Sequence, residues 1–118
     1  MRVIALDLDG VLAQYGPRQS HGGPIGAPMP GMLDLVRRLV REGAQVVVFT
    51  ARASRPIPRA SVEQWLARHG FPALRVTHEK SPTFAVYLDD RAVRFDPHAM
   101  DPASLAAQLM TVKPYWEA

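Results

Sequence analysis

Short apolar runs alternate with amphipathic stretches along most of the chain, and this alternation predicts strands connected by helices. Residues 2–8, RVIALDL, and residues 44–49, AQVVVF, are dense in Val, Ile and Leu and do not alternate strictly with polar residues. Such runs are typical of parallel strands that are buried on both faces. The first predicted strand ends at the turn dipeptide Asp9-Gly10, and the second ends at Thr50.

Two stretches have the 3.6-residue period of amphipathic helices. Residues 32–42 place apolar side chains on one side and arginines on the other, and Gly43 supplies a C-terminal stop. Residues 61–69 repeat the pattern between Ser61, a suitable N-cap, and the terminator Gly70. We interpret the arginine stripe of the first helix as its solvent face.

The rest of the chain divides into a loop, three short strands and a helix. Residues 16–31 carry so many Gly and Pro residues that we predict a flexible flap over one end of the sheet. Residues 74–77, 84–88 and 93–95 are predicted strands, and a helix is predicted over residues 101–110. With right-handed crossovers, this order predicts a three-layer α/β/α Rossmann-like sandwich, with a mainly parallel five-stranded sheet in one domain, 1–118.

Composition narrows the class of protein. The 118 residues contain no cysteine, which excludes disulfides, thiolate metal sites and a cysteine nucleophile. The four histidines (His21, His69, His78 and His98) lack metal-ligand spacing, so we assign them to the surface or to packing. No signal peptide or membrane span is recognised, so a cytoplasmic location without membrane partners is expected. The net charge of +3 suits anionic substrates.

Acidic residues follow two of the predicted strands. Asp7 and Asp9 end the first strand, and Asp89 and Asp90 end the strand at 84–88. The carboxyl ends of parallel strands meet at one edge of a sheet, so these four carboxylates should converge. Two unit charges about 4 Å apart repel by roughly 4 kcal/mol at an effective dielectric near 20, so a cation must balance them. An all-oxygen ligand set favours Mg²⁺.

Four segments occur in the order of a known motif set. Residues 7–11 read DLDGV, residues 49–52 read FTAR, Lys80 follows, and residues 88–91 read LDDR. This series resembles the motifs of the haloacid dehalogenase (HAD) superfamily of phosphatases, and the resemblance extends from residue 3 to about residue 95. It implies a HAD-like hydrolase, which is a Mg²⁺-dependent phosphatase.

The resemblance also implies roles for the individual acidic residues. Asp7 would be the nucleophile that forms an aspartyl-phosphate, and Asp9 would be the general acid and base. Mg²⁺ would be held by the Asp7 carboxylate, the Asp9 backbone carbonyl and the Asp89 carboxylate. Asp90 would bind through a water or orient the other ligands, and Asp89 is the preferred direct ligand of the pair.

The other motif positions would contact substrate. Thr50 would hydrogen-bond a phosphoryl oxygen, and Lys80 would offset the charge of the transferred group. Gly10 would turn backbone N–H groups toward the phosphate. Ala51 and Arg52 complete the predicted substrate-binding set.

The substrate class stays broad, because residues 13–30 and 54–60 are too short to form the cap domain of many HAD proteins. A capless enzyme would act on a small-molecule phosphate or an exposed macromolecular one. A nucleic-acid end phosphatase or a nucleotidase is an alternative, although the charge does not demand nucleic acid. An alternative of another class is a receiver-like signalling module or a non-catalytic phosphate-binding module. A homo-oligomer is also compatible, since Tyr115-Trp116 would pack on the domain or on a second subunit.

Overall fold

A computed structural model describes residues 1–17, 19 and 22–117 of the chain. His21 lies outside the described residues, as do Arg18, Ser20 and Ala118. Within the described part, four strands and three α-helices follow one another. In chain order they are β1 Val3–Leu6, α1 Met32–Arg41, β2 Gln45–Phe49, α2 Pro56–Arg68, β3 Arg75–Thr77, β4 Phe84–Leu88 and α3 Pro102–Thr111. None of these helices is long and apolar enough to cross a membrane.

The sheet is parallel throughout, with the strand order β3-β2-β1-β4. Leu6 at the end of β1 is in register with Val48 of β2 and with Leu88 of β4, so the carboxyl ends of these strands lie side by side. The predicted five-stranded sheet is wrong, because residues 93–95 form no strand. The side chain of Phe95 is 65% exposed, so this short apolar run has neither a partner strand nor a core to join.

Helices α1 and α2 pack on the same face of the sheet. Right-handed connections that progress in one direction, from β1 to β2 and from β2 to β3, put both helices on one side. The core between them contains Val36 of α1 and Trp65 of α2 against the strands. Its other buried members are Leu6, Leu8, Leu12, Ala13, Val46, Val48, Ala53, Val62, Leu66, Phe71 and Val76.

The opposite face is covered by aromatic side chains. The Tyr87 ring meets the ring of Phe49 at 5.3 Å and the ring of Phe84 at 5.7 Å, both edge-on, and Ala5 and Val47 are buried in this cluster. Helix α3 buries no residue. Among the described elements, no helix therefore packs on this face. The predicted three-layer sandwich would have helices on both faces of the sheet, whereas here they pack on one face.

Helix α2 begins five residues before the predicted start at Ser61. Pro56 occupies the first turn, where a missing backbone N–H is tolerated, and the Ser61 hydroxyl donates back to the Ile57 carbonyl at 3.2 Å. The predicted start of α3 is correct, since the Asp101 carboxylate accepts from the Ser104 backbone N–H at 3.1 Å as an N-cap.

The described part of the Gly/Pro loop, residues 16–31, forms no helix or extended strand, and hydrogen bonds hold its C-terminal half on the domain. The Gln14 N–H donates to the Ala27 carbonyl at 2.7 Å, and the indole N–H of Trp65 donates to the Gly26 carbonyl at 2.9 Å. A Cβ on Gly26 would lie 2.2 Å from the Gln14 carbonyl oxygen, so the loop can approach this closely only through glycine.

Candidate active site

Asp7 is positioned by the end of the sheet. Its backbone N–H donates to the Leu88 carbonyl at 3.0 Å, which extends the β1–β4 ladder by one residue. Its carboxylate Oδ1 accepts from the Leu8 N–H at 2.9 Å. The side chain therefore projects from the carboxyl edge of the central strand, where the sequence predicts the nucleophile.

The turn that follows Asp7 is fixed by backbone hydrogen bonds and by burial. The Gly10 N–H donates to the Ala13 carbonyl at 2.8 Å, and the Ala13 N–H donates to the Leu8 carbonyl at 2.9 Å. Leu8, Leu12 and Ala13 are fully buried. The turn is thus part of the core, and it holds Asp7 and Asp9 in a rigid frame.

Asp7, Asp89 and Asp90 meet at this edge as the sequence predicts. One carboxylate oxygen from each lies within 4.8 Å of the other two, and all three residues are partly buried. Asp90 Oδ1 is buried and has no hydrogen-bond partner among the described residues. A buried polar oxygen without a partner is costly, so the arrangement is incomplete without a cation or a proton.

The crowding of the three carboxyl groups also changes the pKa of Asp7. Burial first, then the close approach of the Asp90 carboxyl group, then the charge of Asp89 raise the pKa of Asp7 from its ordinary 3.8 to about 8. The Leu8 N–H opposes this effect by stabilising the charged form. Without a cation, Asp7 therefore keeps a proton at neutral pH.

Asp9 is not part of this triad, so three of the four carboxylates that were expected to converge do so, and Asp9 pairs with Arg52 instead. Arg52 Nε donates to Asp9 Oδ2 at 2.8 Å, and Arg52 Nη2 donates to Asp9 Oδ1 at 3.0 Å, a bidentate contact. Arg52 Nη1 donates to the Gly23 carbonyl at 2.6 Å. The predicted substrate-binding arginine thus connects Asp9 to the Gly/Pro loop, a pairing that sequence spacing does not reveal.

A cavity of about 450 Å³ opens beside Asp7 and Asp9. Thr50 lies in its wall, 4% exposed, and its Oγ1 accepts from the Arg52 backbone N–H at 3.2 Å as the cap of a short 3₁₀ helix, Ala51–Ser54. The Thr50 hydroxyl hydrogen remains available for an anion in the cavity. The other lining residues are Tyr15, Gly22, Ala51, Arg52, Ser54, Arg55, Pro58 and Arg91.

Lys80 is not brought to this cavity. It lies in the short connection between β3 and β4, and its Nζ is 5.7 Å from the centroid of the Tyr87 ring. Tyr87 belongs to the aromatic face of the sheet, and Lys80 does not occur among the described residues that line the cavity. Only Ser81, Pro82 and Thr83 separate Lys80 from β4, so no helix is available to return it to the strand ends.

Two aromatic residues that the sequence left unassigned join the site. The Tyr115 hydroxyl donates to the Gly10 carbonyl at 2.6 Å, and the Trp116 indole N–H donates to Asp90 Oδ2. The sequence left open whether Tyr115 and Trp116 pack on the domain or on a second subunit, and in the structure they pack on the domain. No local pattern marks these contacts, because each joins residues that are far apart along the chain.

Comparisons with known proteins add evidence on the fold. No family model and no curated protein matches the chain. A solved structure described as a conserved protein from Bacteroides thetaiotaomicron is similar to it, with a TM-score of 0.58 and 14% identity, over 92% of this chain and 88% of that one. At this identity the likeness supports the α/β fold with its parallel sheet.

Proposed function

We propose that this chain is a Mg²⁺-dependent phosphohydrolase of the HAD type, with a Rossmann-like core and no cap domain. It acts on a phosphomonoester through an aspartyl-phosphate on Asp7. The observation that carries the proposal is the meeting of Asp7 with Asp89 and Asp90 at the carboxyl edge of a parallel sheet, beside a cavity lined by arginines. This combination supplies a nucleophile, a metal-ligand set and an anion-binding wall.

The residues present fit a magnesium ion. All the candidate side-chain ligands are carboxylate oxygens, and Asp90 Oδ1 is a buried oxygen with free ligand capacity. Asp7, Asp89 and Asp90 would hold the ion together with the Asp9 backbone carbonyl. When bound, Mg²⁺ neutralises the triad and polarises the phosphoryl group. Asp7 acts as the nucleophile in its ionised form, which the Leu8 N–H stabilises by donating to Oδ1 at 2.9 Å.

The reaction has two displacements at phosphorus. A carboxylate oxygen of Asp7 forms a bond to phosphorus while the bond to the leaving oxygen breaks, and Asp9 donates a proton to that oxygen. Asp9 then takes a proton from water as the water oxygen attacks phosphorus, which releases inorganic phosphate and regenerates Asp7. Since Arg52 occupies both oxygens of Asp9 in this structure, one of the two contacts must open before Asp9 transfers a proton.

Three side chains in the cavity suit the substrate. The Thr50 hydroxyl can donate to a phosphoryl oxygen, and the guanidinium groups of Arg55 and Arg91 have no ion-pair partner among the described residues. Cations of this kind stabilise charge on a transferring phosphoryl group. The HAD resemblance assigns that role to Lys80, but Lys80 lies over Tyr87 and does not line the cavity, so we give it no role in the reaction.

The test is release of phosphate from p-nitrophenyl phosphate, with Mg²⁺ and with EDTA. We expect turnover by the wild type with Mg²⁺, and a loss of at least about a thousandfold for Asp7→Asn. Asp34→Asn, at an exposed carboxylate on α1, is the matched control and should retain wild-type turnover. Equal turnover by wild type and Asp7→Asn would remove Asp7 from the reaction.

A second candidate activity, on nucleotides or nucleic-acid ends, is favoured by the wall of the cavity. Tyr15 offers a ring on which a base can stack, and Arg55 and Arg91 offer charge for a second phosphate. A higher kcat/KM on a 5′-phosphorylated oligonucleotide than on p-nitrophenyl phosphate would select this substrate class. The reverse order would favour a small-molecule phosphate.

A further inference from the structure

Residues 114–117 fold back from α3 onto the acidic site. The hydrogen bond from the Tyr115 hydroxyl to Gly10 joins residues 105 positions apart, and the bond from the Trp116 indole to Asp90 joins residues 26 positions apart. By contrast, α3 itself buries no residue. The segment after α3 is therefore held to the domain through the site.

The contact is close enough to require a glycine. Gly10 has a φ of +89°, and a Cβ there would lie 2.2 Å from Asp90 Oδ2 and 3.1 Å from Trp116 Nε1. No side chain fits between the turn, the carboxylate and the indole. Gly10 thus has a role that its motif position does not predict: it lets Asp90 and Trp116 meet.

The hydrogen bond from Trp116 makes the two oxygens of Asp90 different. Oδ2 accepts from the indole N–H, whereas Oδ1 is buried without a hydrogen-bond partner among the described residues. An indole N–H only donates, so it orients a carboxylate without competing for a cation. The hydrogen bond restricts the rotation of the Asp90 carboxylate, and Oδ1 is the carboxylate oxygen that no hydrogen bond among the described residues occupies.

The indole is itself held between two residues of the cavity wall. The Tyr15 ring meets it edge-on at 4.8 Å, and the Arg91 guanidinium lies 4.8 Å from the centre of its ring. Both contacts stabilise the position of the ring. Because these contacts need only the aromatic ring, the ring and the N–H can be tested separately.

We infer that Trp116 is a positioning residue of the metal site, which holds Asp90 through its indole N–H so that the free carboxylate oxygen binds the cation. The inference rests on the proposed function for the identity of the ion. Groups that orient a metal ligand typically change metal affinity by about ten- to a hundredfold when they are removed.

The test is calorimetric titration of Mg²⁺ into the full chain without substrate. Trp116→Phe keeps an aromatic ring against Tyr15 and Arg91 but loses the donor, so we expect its Kd for Mg²⁺ to rise at least about tenfold. Tyr115→Phe is the matched control: it removes the hydrogen bond that the same segment makes to Gly10, keeps the one from Trp116 to Asp90, and should stay within about twofold of wild type. Circular dichroism would establish that each variant is folded.

A double-mutant cycle separates orientation of Asp90 from a general structural effect. If Trp116 acts through Asp90, Trp116→Phe should leave the Kd for Mg²⁺ unchanged in an Asp90→Asn background. Equal Kd values for wild type and Trp116→Phe, an equal loss in Tyr115→Phe, or additive losses with Asp90→Asn would each overturn the inference. So would a wild-type chain that binds no Mg²⁺. A chain that binds Mg²⁺ but hydrolyses no phosphate would defeat only the proposed function.

Discussion

Asp7→Asn should stabilise the metal-free protein at alkaline pH, although it removes the proposed nucleophile. Burial and the two neighbouring carboxylates raise the pKa of Asp7 from 3.8 to about 8. Between these values the native state holds a proton that the unfolded chain has lost. The free energy of unfolding of the wild type therefore falls as pH rises through this window, and the contribution of Asp7 is constant above it.

The magnitude follows from the width of the window. A span of about four pH units, at about 1.4 kcal/mol each, sets a ceiling of about 6 kcal/mol. Asp7 keeps partial contact with solvent, which screens its charge, so we expect half of this, about 3 kcal/mol. Asparagine resembles the protonated carboxyl, so Asp7→Asn should match the wild type near pH 4 and exceed its stability by about 3 kcal/mol at pH 9.

Urea unfolding followed by circular dichroism, in EDTA from pH 4 to pH 9, measures this difference. Subtracting the two curves cancels the titrating groups that do not interact with Asp7, and the difference reports Asp7 together with its coupling to Asp89 and Asp90. Asp34→Asn is the control, because Asp34 is exposed and solvent screens its ion pair with Arg38. A variant no more stable than the wild type at pH 9 would show that folding does not raise the pKa of Asp7. Saturating Mg²⁺ should reverse the order, since it stabilises only the intact triad.

Three further substitutions test individual residues. Asp9→Asn should lower kcat by at least about a hundredfold while leaving the Kd for Mg²⁺ within about twofold, because the proposed ligand is its backbone carbonyl; a loss of Mg²⁺ affinity in calorimetry would contradict that assignment. Gly10→Ala should cost about 2–4 kcal/mol in urea unfolding, because a Cβ would meet Asp90 Oδ2 at 2.2 Å and the φ is +89°; wild-type stability would show that the turn relaxes freely. Lys80→Ala should change kcat on p-nitrophenyl phosphate by less than about threefold, because Lys80 lies over Tyr87; a hundredfold loss would return Lys80 to the phosphate.

Local pattern predicted the elements that position the acidic residues. Runs of β-branched residues marked β1 and β2, and the residues of β4 were predicted as a strand from 84 to 88. Since parallel strands end at one edge, the encounter of Asp7 with Asp89 and Asp90 followed from topology alone. That part of the site depends on where the strands end, and the apolar runs of the sequence predict these ends well.

Features that depend on contacts between distant residues were not predictable in this way. Residues 93–95 have strand-like composition, but a strand also needs a neighbour to pair with, and composition does not report one. The start of α2 was misplaced because its first turn is exposed and contains Pro56, which breaks a helix in its interior but not at its beginning. The Arg52–Asp9 pair and the Trp116–Asp90 contact arise only when the chain has folded.

Transfer of a phosphoryl group to Asp7 with the help of a divalent ion is the central step of the proposed reaction. Incubation with acetyl phosphate, acid quench, borohydride reduction and peptide mass spectrometry would locate the acyl phosphate as a homoserine. We predict a Mg²⁺-dependent homoserine at position 7, absent with EDTA and absent in Asp7→Asn. A homoserine at Asp89 or Asp90 instead, or none at any position in the wild type, would contradict the account.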